Sequence, residues 1–380
     1  MPVLLLALGI GLVIGLIVVH EFGHFVVARR NGVEIEEFGI FFPPRLYGHT
    51  TKAGWVFSIN ALPLGGFVKL KGEHDSDTEP GTFGAANLRA KTKILLAGVT
   101  MNLIIGLVLF AILAVIGMPQ IVNNQFNVKS NTRVLSQKVL INEVVAGSPA
   151  SKAGLRVGDE LTYMGLPASK HPTAINNAAI LPSVTKRFAN KTVLVQYVRS
   201  GTPKQVSIHF LKRNANYELG VATQQLNLHR STWSAPLVAL GLGAQLIGLT
   251  IQGLGHTFAG LGSLIAGLVT HNVTARQNGQ TAATANITGP VGIFAILRSS
   301  SALGYQFVLF IVAYISLVLA FMNVLPIPVV DGGRLYIMLI TRALKRPLSA
   351  KREEAINLVT VVVLLCLFVL ITIADVKRYY

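Results

Sequence analysis

Charge is scarce in this chain. Only 13% of its 380 residues are charged, about half the share of an average soluble domain. Acidic residues are the scarcer kind, 16 against 33 Lys and Arg, for a net charge of +17. There is one cysteine, Cys366, and it lies inside an apolar run, which excludes a disulfide framework within the chain. So little charge beside 52% hydrophobic residues excludes an ordinary soluble enzyme and points to a multi-pass membrane protein in a lipid bilayer. A basic excess of this size would suit nucleic acid. Here the basic residues cluster beside apolar runs, as cytoplasmic flanks of transmembrane helices do, so no nucleic-acid partner is expected.

What is present begins with an uncharged run from Val3 to Val19 that ends in His20-Glu21-Phe22-Gly23-His24. HExxH on a helix puts two imidazoles one turn apart on one face with a carboxylate beside them. That set can hold a zinc ion and let the glutamate handle a water proton. An ionisable cluster at the end of such a segment is costly unless it is paired or bound to metal. The bland alternative is a helix that has just left the bilayer. The run has no basic leader and no convincing cleavage site, so it reads as a retained helix. With no Lys or Arg before it and Arg29-Arg30 after it, its HExxH end is expected near the cytoplasm.

Residues 33–93 form a basic segment, expected to be cytoplasmic. Within it Gly54–Leu62 and Pro63–Leu70 read as two short strands with a turn between them. A second span is expected over Ile94–Gly117. Its polar exception, Asn102, is read as a helix-to-helix hydrogen bond rather than a catalytic group. Residues 127–212 mix polar and apolar positions, with strand-like alternation in Thr192–Val198 and Gln205–Leu211 and a turn at Ser200-Gly201.

Residues 235–268 carry no charge but are rich in Gly, with Gln245, Gln252 and His256. Their length allows one span. Helices lying at the outer surface are expected instead. Ser263 and His271 suggest no serine hydrolase, because no GxSxG surrounds the serine. A third span, about Ala302–Leu325, runs into Asn323-Val324-Leu325-Pro326-Ile327-Pro328-Val329-Val330-Asp331-Gly332-Gly333. The prolines cannot continue a regular helix, and irregular backbone at membrane depth must line a cavity or lie inside protein. Asp331 there is either a third, oxygen ligand to the metal or the cap of a short helix. A basic loop from Arg342 to Arg352 precedes the last span, about Ala355–Ala374.

Two of these stretches resemble known families. The run from Ser148 to Leu161 resembles the SPAxxAGLRxGDxL of PDZ domains in bacterial envelope proteases. HExxH in a first span, with NxxPxPxxDGG in a later one, resembles the site-2 protease family of intramembrane zinc metalloproteases, closely its bacterial regulated-proteolysis branch. The resemblance implies a Zn2+ held by His20, His24 and Asp331, with Glu21 as catalytic base. It also implies that Asn323 binds the substrate backbone and that Gly65-Gly66-Phe67 helps present it. Substrates would be single-span membrane proteins, such as anti-sigma factors or signal-peptide remnants. The setting would be a bacterial cytoplasmic membrane, with the PDZ domain outside and open to a peptide ligand.

The expected fold is a polytopic α-helical membrane protein of about four transmembrane helices, with a cytoplasmic β-hairpin and an inserted α+β PDZ domain. Its parts are an N-terminal membrane part (1–126), the PDZ domain (127–212), an interfacial amphipathic region (213–301) and a C-terminal membrane part (302–380). Some relatives carry two PDZ domains; this chain has room for one. A prenyl-protein peptidase would want a downstream intramembrane Glu, which is missing. A non-catalytic PDZ scaffold would be favoured by a broken ligand set, and this one is complete.

Overall fold

A computed structural model describes residues 2–379 apart from 74–76, 168, 170, 189, 200, 211–218, 286–287 and 346–349. Ser200 of the expected turn, Leu211 of the expected strand and part of the basic loop after Arg342 lie outside the described residues.

Among the described residues, five helices are long and apolar enough to cross a membrane, one more than expected. The HExxH run is α1 (Pro2–Arg30). It leads into β1 (Ile35–Thr50) and β2 (Val56–Leu70). The sequence reading placed both strands of a hairpin inside 54–70. In the structure that whole stretch is the single strand β2, and its partner is β1. The partner was overlooked because Pro43-Pro44 and the charges around it argue against a strand. Gly39 of β1 lies opposite both Phe67 and Ser58, so the first half of β1 is held between the two halves of a bent β2. Aromatic packing docks this sheet on α1: Phe25 meets Phe38 at 5.5 Å and Trp55 at 4.9 Å, both edge to face.

The chain then enters α2 (Leu88–Ile116), whose first turn is capped by Asn87 accepting the Ala90 amide at 2.8 Å. Next comes a β domain. Its seven-stranded sheet runs in the order β3 (Met118–Pro119), β9 (Val221–Arg230), β4 (Arg133–Val144), β5 (Glu160–Gly165), β7 (Thr192–Arg199), β8 (Thr202–His209), with β6 (Thr173–Ala174) on β5. The sheet takes in β9 and so extends past residue 212, where the sequence reading ended the domain. The short helices α3 (Pro149–Lys152) and α4 (Leu181–Arg187) pack on it. Val139, Ile141, Leu161, Met164, Val193, Val195 and Phe210 form its core. Asp159 is buried there. It accepts from the Arg156 amide at 2.8 Å and from Arg199 Nε and Nη2 at 2.7 Å each, so the Gly158-Asp159 pair fixes a turn.

Residues 235–269 form one helix, α5 (Ala235–Val269). The expectation of a helix lying on the outer surface does not match its packing. Val238, Ala239, Leu242 and Leu246 are buried in one cluster with Phe110, Leu113 and Ala114 of α2. The glycines, expected to mark a surface helix, allow close approach here together with alanine. The second half of α5 is folded against α6 (Val273–Ala285): Gly267 abuts Arg276, and Gly279 abuts Leu264. α7 (Pro290–Leu303) packs on α1 through Leu297, beside Gly9. α8 (Tyr305–Val324) completes the bundle, with Phe310 edge to face on Phe110 at 5.2 Å. α9 (Asp331–Ala343) follows the proline stretch. α10 (Ala350–Tyr379) is tied to α7, where Asp375 Oδ2 accepts the amides of Gly289 at 2.9 Å and Gly292 at 2.7 Å.

Candidate metal centre

Three elements, α1, α2 and the opening of α9, meet at one point. Helical spacing in α1 stacks His20 and His24 on one face, and both are buried. Their rings lie edge to face at 4.9 Å. The third element is the opening of α9. After α8 the prolines at 326 and 328 break the helix, and Val329 takes φ of +87°, a value a β-branched residue rarely adopts. That bend turns the first residue of α9, Asp331, back toward α1, with its carboxylate at a helix N-terminus, where negative charge is favoured. Gly332 and Gly333 are required by the same bend. A Cβ at either would run into the carbonyls of Val324 and Ile327.

The donor atoms form a near-regular triangle. His20 Nε2 is 3.2 Å from His24 Nε2, and Asp331 Oδ2 is 3.1 Å from the first and 3.2 Å from the second. Four ligands placed tetrahedrally about 2.0–2.1 Å from zinc are separated by roughly 3.3 Å, so the set fits the ion. His24 Nδ1 lies 2.7 Å from the carbonyl of Ile94. It therefore carries the proton, and its Nε2 lone pair is free to bind metal. Space for the ion is also present. A Cβ on Gly98 of α2 would lie 2.5 Å from His24 Nε2 and 2.6 Å from His20 Nε2, so only glycine leaves this cradle open.

The remaining site residues fall in two groups. Glu21 sits beside the triangle and against the sheet: a Cβ on Gly66 would come within 3.5 Å of Glu21 Cγ. The Gly66–Leu70 end of β2 pairs with β1 on one side, and no strand among the described residues pairs with its other edge. Gly65 and Phe67 serve the sheet itself, Gly65 against the Phe42 ring and Phe67 over Gly39. Asn323, in the last turn of α8, donates to Leu319 O at 2.9 Å and makes no bond to the triangle. Gly98 has no counterpart in the sequence-based expectations, whereas Asn102, expected to bond a neighbouring helix, does so at His20 of α1. The signal was there. Ile94, Gly98 and Asn102 are spaced four apart, so they form one stripe on α2.

Two buried histidines and an aspartate at metal-ligand spacing, with the Glu21 carboxylate alongside, in a bundle of apolar helices: this describes a membrane metallohydrolase. The model of peptidase family M50 matches residues 8–367. A Clostridium perfringens protein named as a zinc metalloprotease is 30% identical over 373 residues, covering 95% of each chain. An Agrobacterium fabrum protein of the same designation is 28% identical over 382 residues, covering 95% of this chain and 93% of its own. The protease Eep of Enterococcus faecalis is 24% identical over 455 residues, covering 96% and 97%. The chain belongs to peptidase family M50, the site-2 proteases, and is a zinc metalloprotease.

Proposed function

We propose that this protease cuts transmembrane segments of single-span membrane proteins, in regulated intramembrane proteolysis, in a bacterial cytoplasmic membrane. The observation that carries the reading is the triangle of His20, His24 and Asp331 beside Glu21 and the free edge of β2. A substrate helix in lipid has its amides satisfied internally, and they are hidden until it unwinds. The edge from Gly66 to Leu70 offers main-chain groups to the unwound segment and replaces the bonds it loses. Asn323, in the last turn of α8, satisfies another exposed backbone group. His20, His24 and Asp331 would hold the zinc, which when bound would supply Lewis acidity toward a water molecule and the scissile carbonyl. Glu21 takes the proton of the attacking water and passes it to the leaving amide nitrogen.

The β domain is read as a PDZ domain on its Ser148–Leu161 run. β3 covers Leu228 and His229 of β9 and Gln120 donates to Asn227 O at 2.9 Å, while no strand among the described residues pairs with that edge from Val221 to Leu226, which leaves it for an extended peptide. The domain stands outside the cell and the zinc site faces the cytoplasm. For Asp331 to meet the histidines, α8 must start outside, so the chain between β9 and α8 crosses an even number of times or not at all. α5 enters the bundle and α6 doubles back on it, which supports an entry and return through this segment.

Glu21→Gln tests the chemistry: it keeps zinc and loses cleavage of a single-span reporter, because only the proton acceptor changes. Asp331→Ala loses zinc as well. Retained cleavage in the first variant, or full zinc occupancy in the second, overturns the assignment.

A further inference from the structure

The mechanism gives α2 no part, yet α2 supplies the partners behind both ligating rings. Ile94 O receives the Nδ1 proton of His24 at 2.7 Å. Two turns on, Asn102 stands behind His20, its amide nitrogen 3.2 Å from His20 Nδ1. Asn102 is 1% exposed, and its Oδ1 is buried without a hydrogen-bond partner. Ser316 Oγ donates to the Asn102 carbonyl at 2.7 Å, which fixes this turn of α2 against α8.

Both histidines aim Nε2 at the same point, and a nitrogen can bind metal only if it carries no proton. His20 must then hold its proton on Nδ1, and that proton needs an acceptor. An amide NH2 cannot accept. Turning the Asn102 amide by half a rotation exchanges its near-isosteric ends and sets Oδ1 against Nδ1. The exchange replaces one unsatisfied buried atom by another, so without metal the two orientations are nearly balanced. With metal only the turned one works.

We propose that Asn102 is a positioning residue for the zinc: its Oδ1 accepts the Nδ1 proton of His20 and holds that ring as an Nε2 ligand. This rests on His20 being a ligand. With Ile94 O it makes α2 the outer shell of the site, one acceptor per histidine, on either side of Gly98.

The test is zinc affinity of the purified full-length protein, measured by chelator competition, with the hydrogen exchange of the metal-stripped protein as the measure of packing. Asn102→Leu keeps the volume and removes the acceptor. It should weaken zinc about 10- to 100-fold, the usual effect of losing an outer-shell partner. Asn102→Asp restores an acceptor and should bind zinc within a few-fold of the parent. A role in helix packing alone predicts the opposite order, since a buried carboxylate disturbs packing more than leucine does. Wild-type affinity in Asn102→Leu, or equal loss in both variants, overturns the proposal. His20→Ala separates the two readings. If it keeps zinc, the ligand assignment has failed; if it loses zinc while Asn102→Leu keeps it, only the role of Asn102 has failed.

Discussion

Gly98→Ala adds one methyl group, and its two consequences have opposite signs. Alanine is favoured over glycine inside a helix by about 1 kcal/mol, so α2 by itself gains stability. The methyl, however, would sit 2.5 Å from His24 Nε2 and 2.6 Å from His20 Nε2, where ordinary contact begins at 3.4 Å. Something must move by about 0.9 Å. Zinc ligands tolerate errors of about 0.2 Å. Neither helix can yield easily, since a Cβ on Gly23 would meet Ala97 O at 2.8 Å, so α1 and α2 already touch backbone to backbone one residue from the site. The displacement therefore falls on the imidazoles and the ion. Zinc affinity should drop by at least about 100-fold, the upper range for disturbing even an outer-shell partner. Chelator competition on the purified protein reads the loss, and circular dichroism should show the helices intact. A folded Gly98→Ala protein with parental zinc affinity would mean that His20 and His24 do not converge beneath α2.

Three further outcomes are expected. Asn323→Ala should slow cleavage of a single-span reporter with zinc content unchanged, as should a proline placed at Val68; unchanged turnover in both removes the backbone-binding roles. Asp159→Ala leaves Arg199 without its carboxylate and should cost the β domain about 3 kcal/mol, seen as roughly 100-fold faster amide exchange in β5 and β7; unaltered exchange there would make the pair dispensable. In a Cys366→Ser background, Ser169→Cys and Ala302→Cys should both react with an impermeant thiol reagent from outside, and labelling of Ala302→Cys only from the cytoplasm would refute an even number of crossings before α8.

The candidate metal centre was legible in the sequence because such a cluster needs residue types that lipid otherwise forbids. His20, Glu21, His24 and Asp331 stand out against apolar runs, and a proline pair marks the break that aims Asp331. The β domain was legible in part for another reason: the alternation over Thr192–Val198 and from Gln205 onward falls on β7 and β8. Pairing was not legible. β1 carries Pro43-Pro44, and its hold on both halves of β2 is a long-range fact that no local alternation reports. α5 was misplaced because composition cannot distinguish small residues facing lipid headgroups from small residues packed against another helix; only the burial of Ala239 and Leu242 on α2 decides it. Gly98 was invisible because a glycine in an apolar helix looks like any other until a neighbour is set against it.

The ligands of the zinc lie 311 positions apart, two at the start of the chain and one near its end. At about 5–20 residues per second, the ribosome needs roughly 15–60 s to make Asp331 after His20 has entered the membrane. During that interval the HExxH helix and the β1–β2 sheet are already made without a complete donor set. Until Asp331 joins them, His20 and His24 lack their third donor, so the site is incomplete while the later helices are still being inserted. The site closes only when the opening of α9 folds back on α1, so its assembly waits on every helix between them.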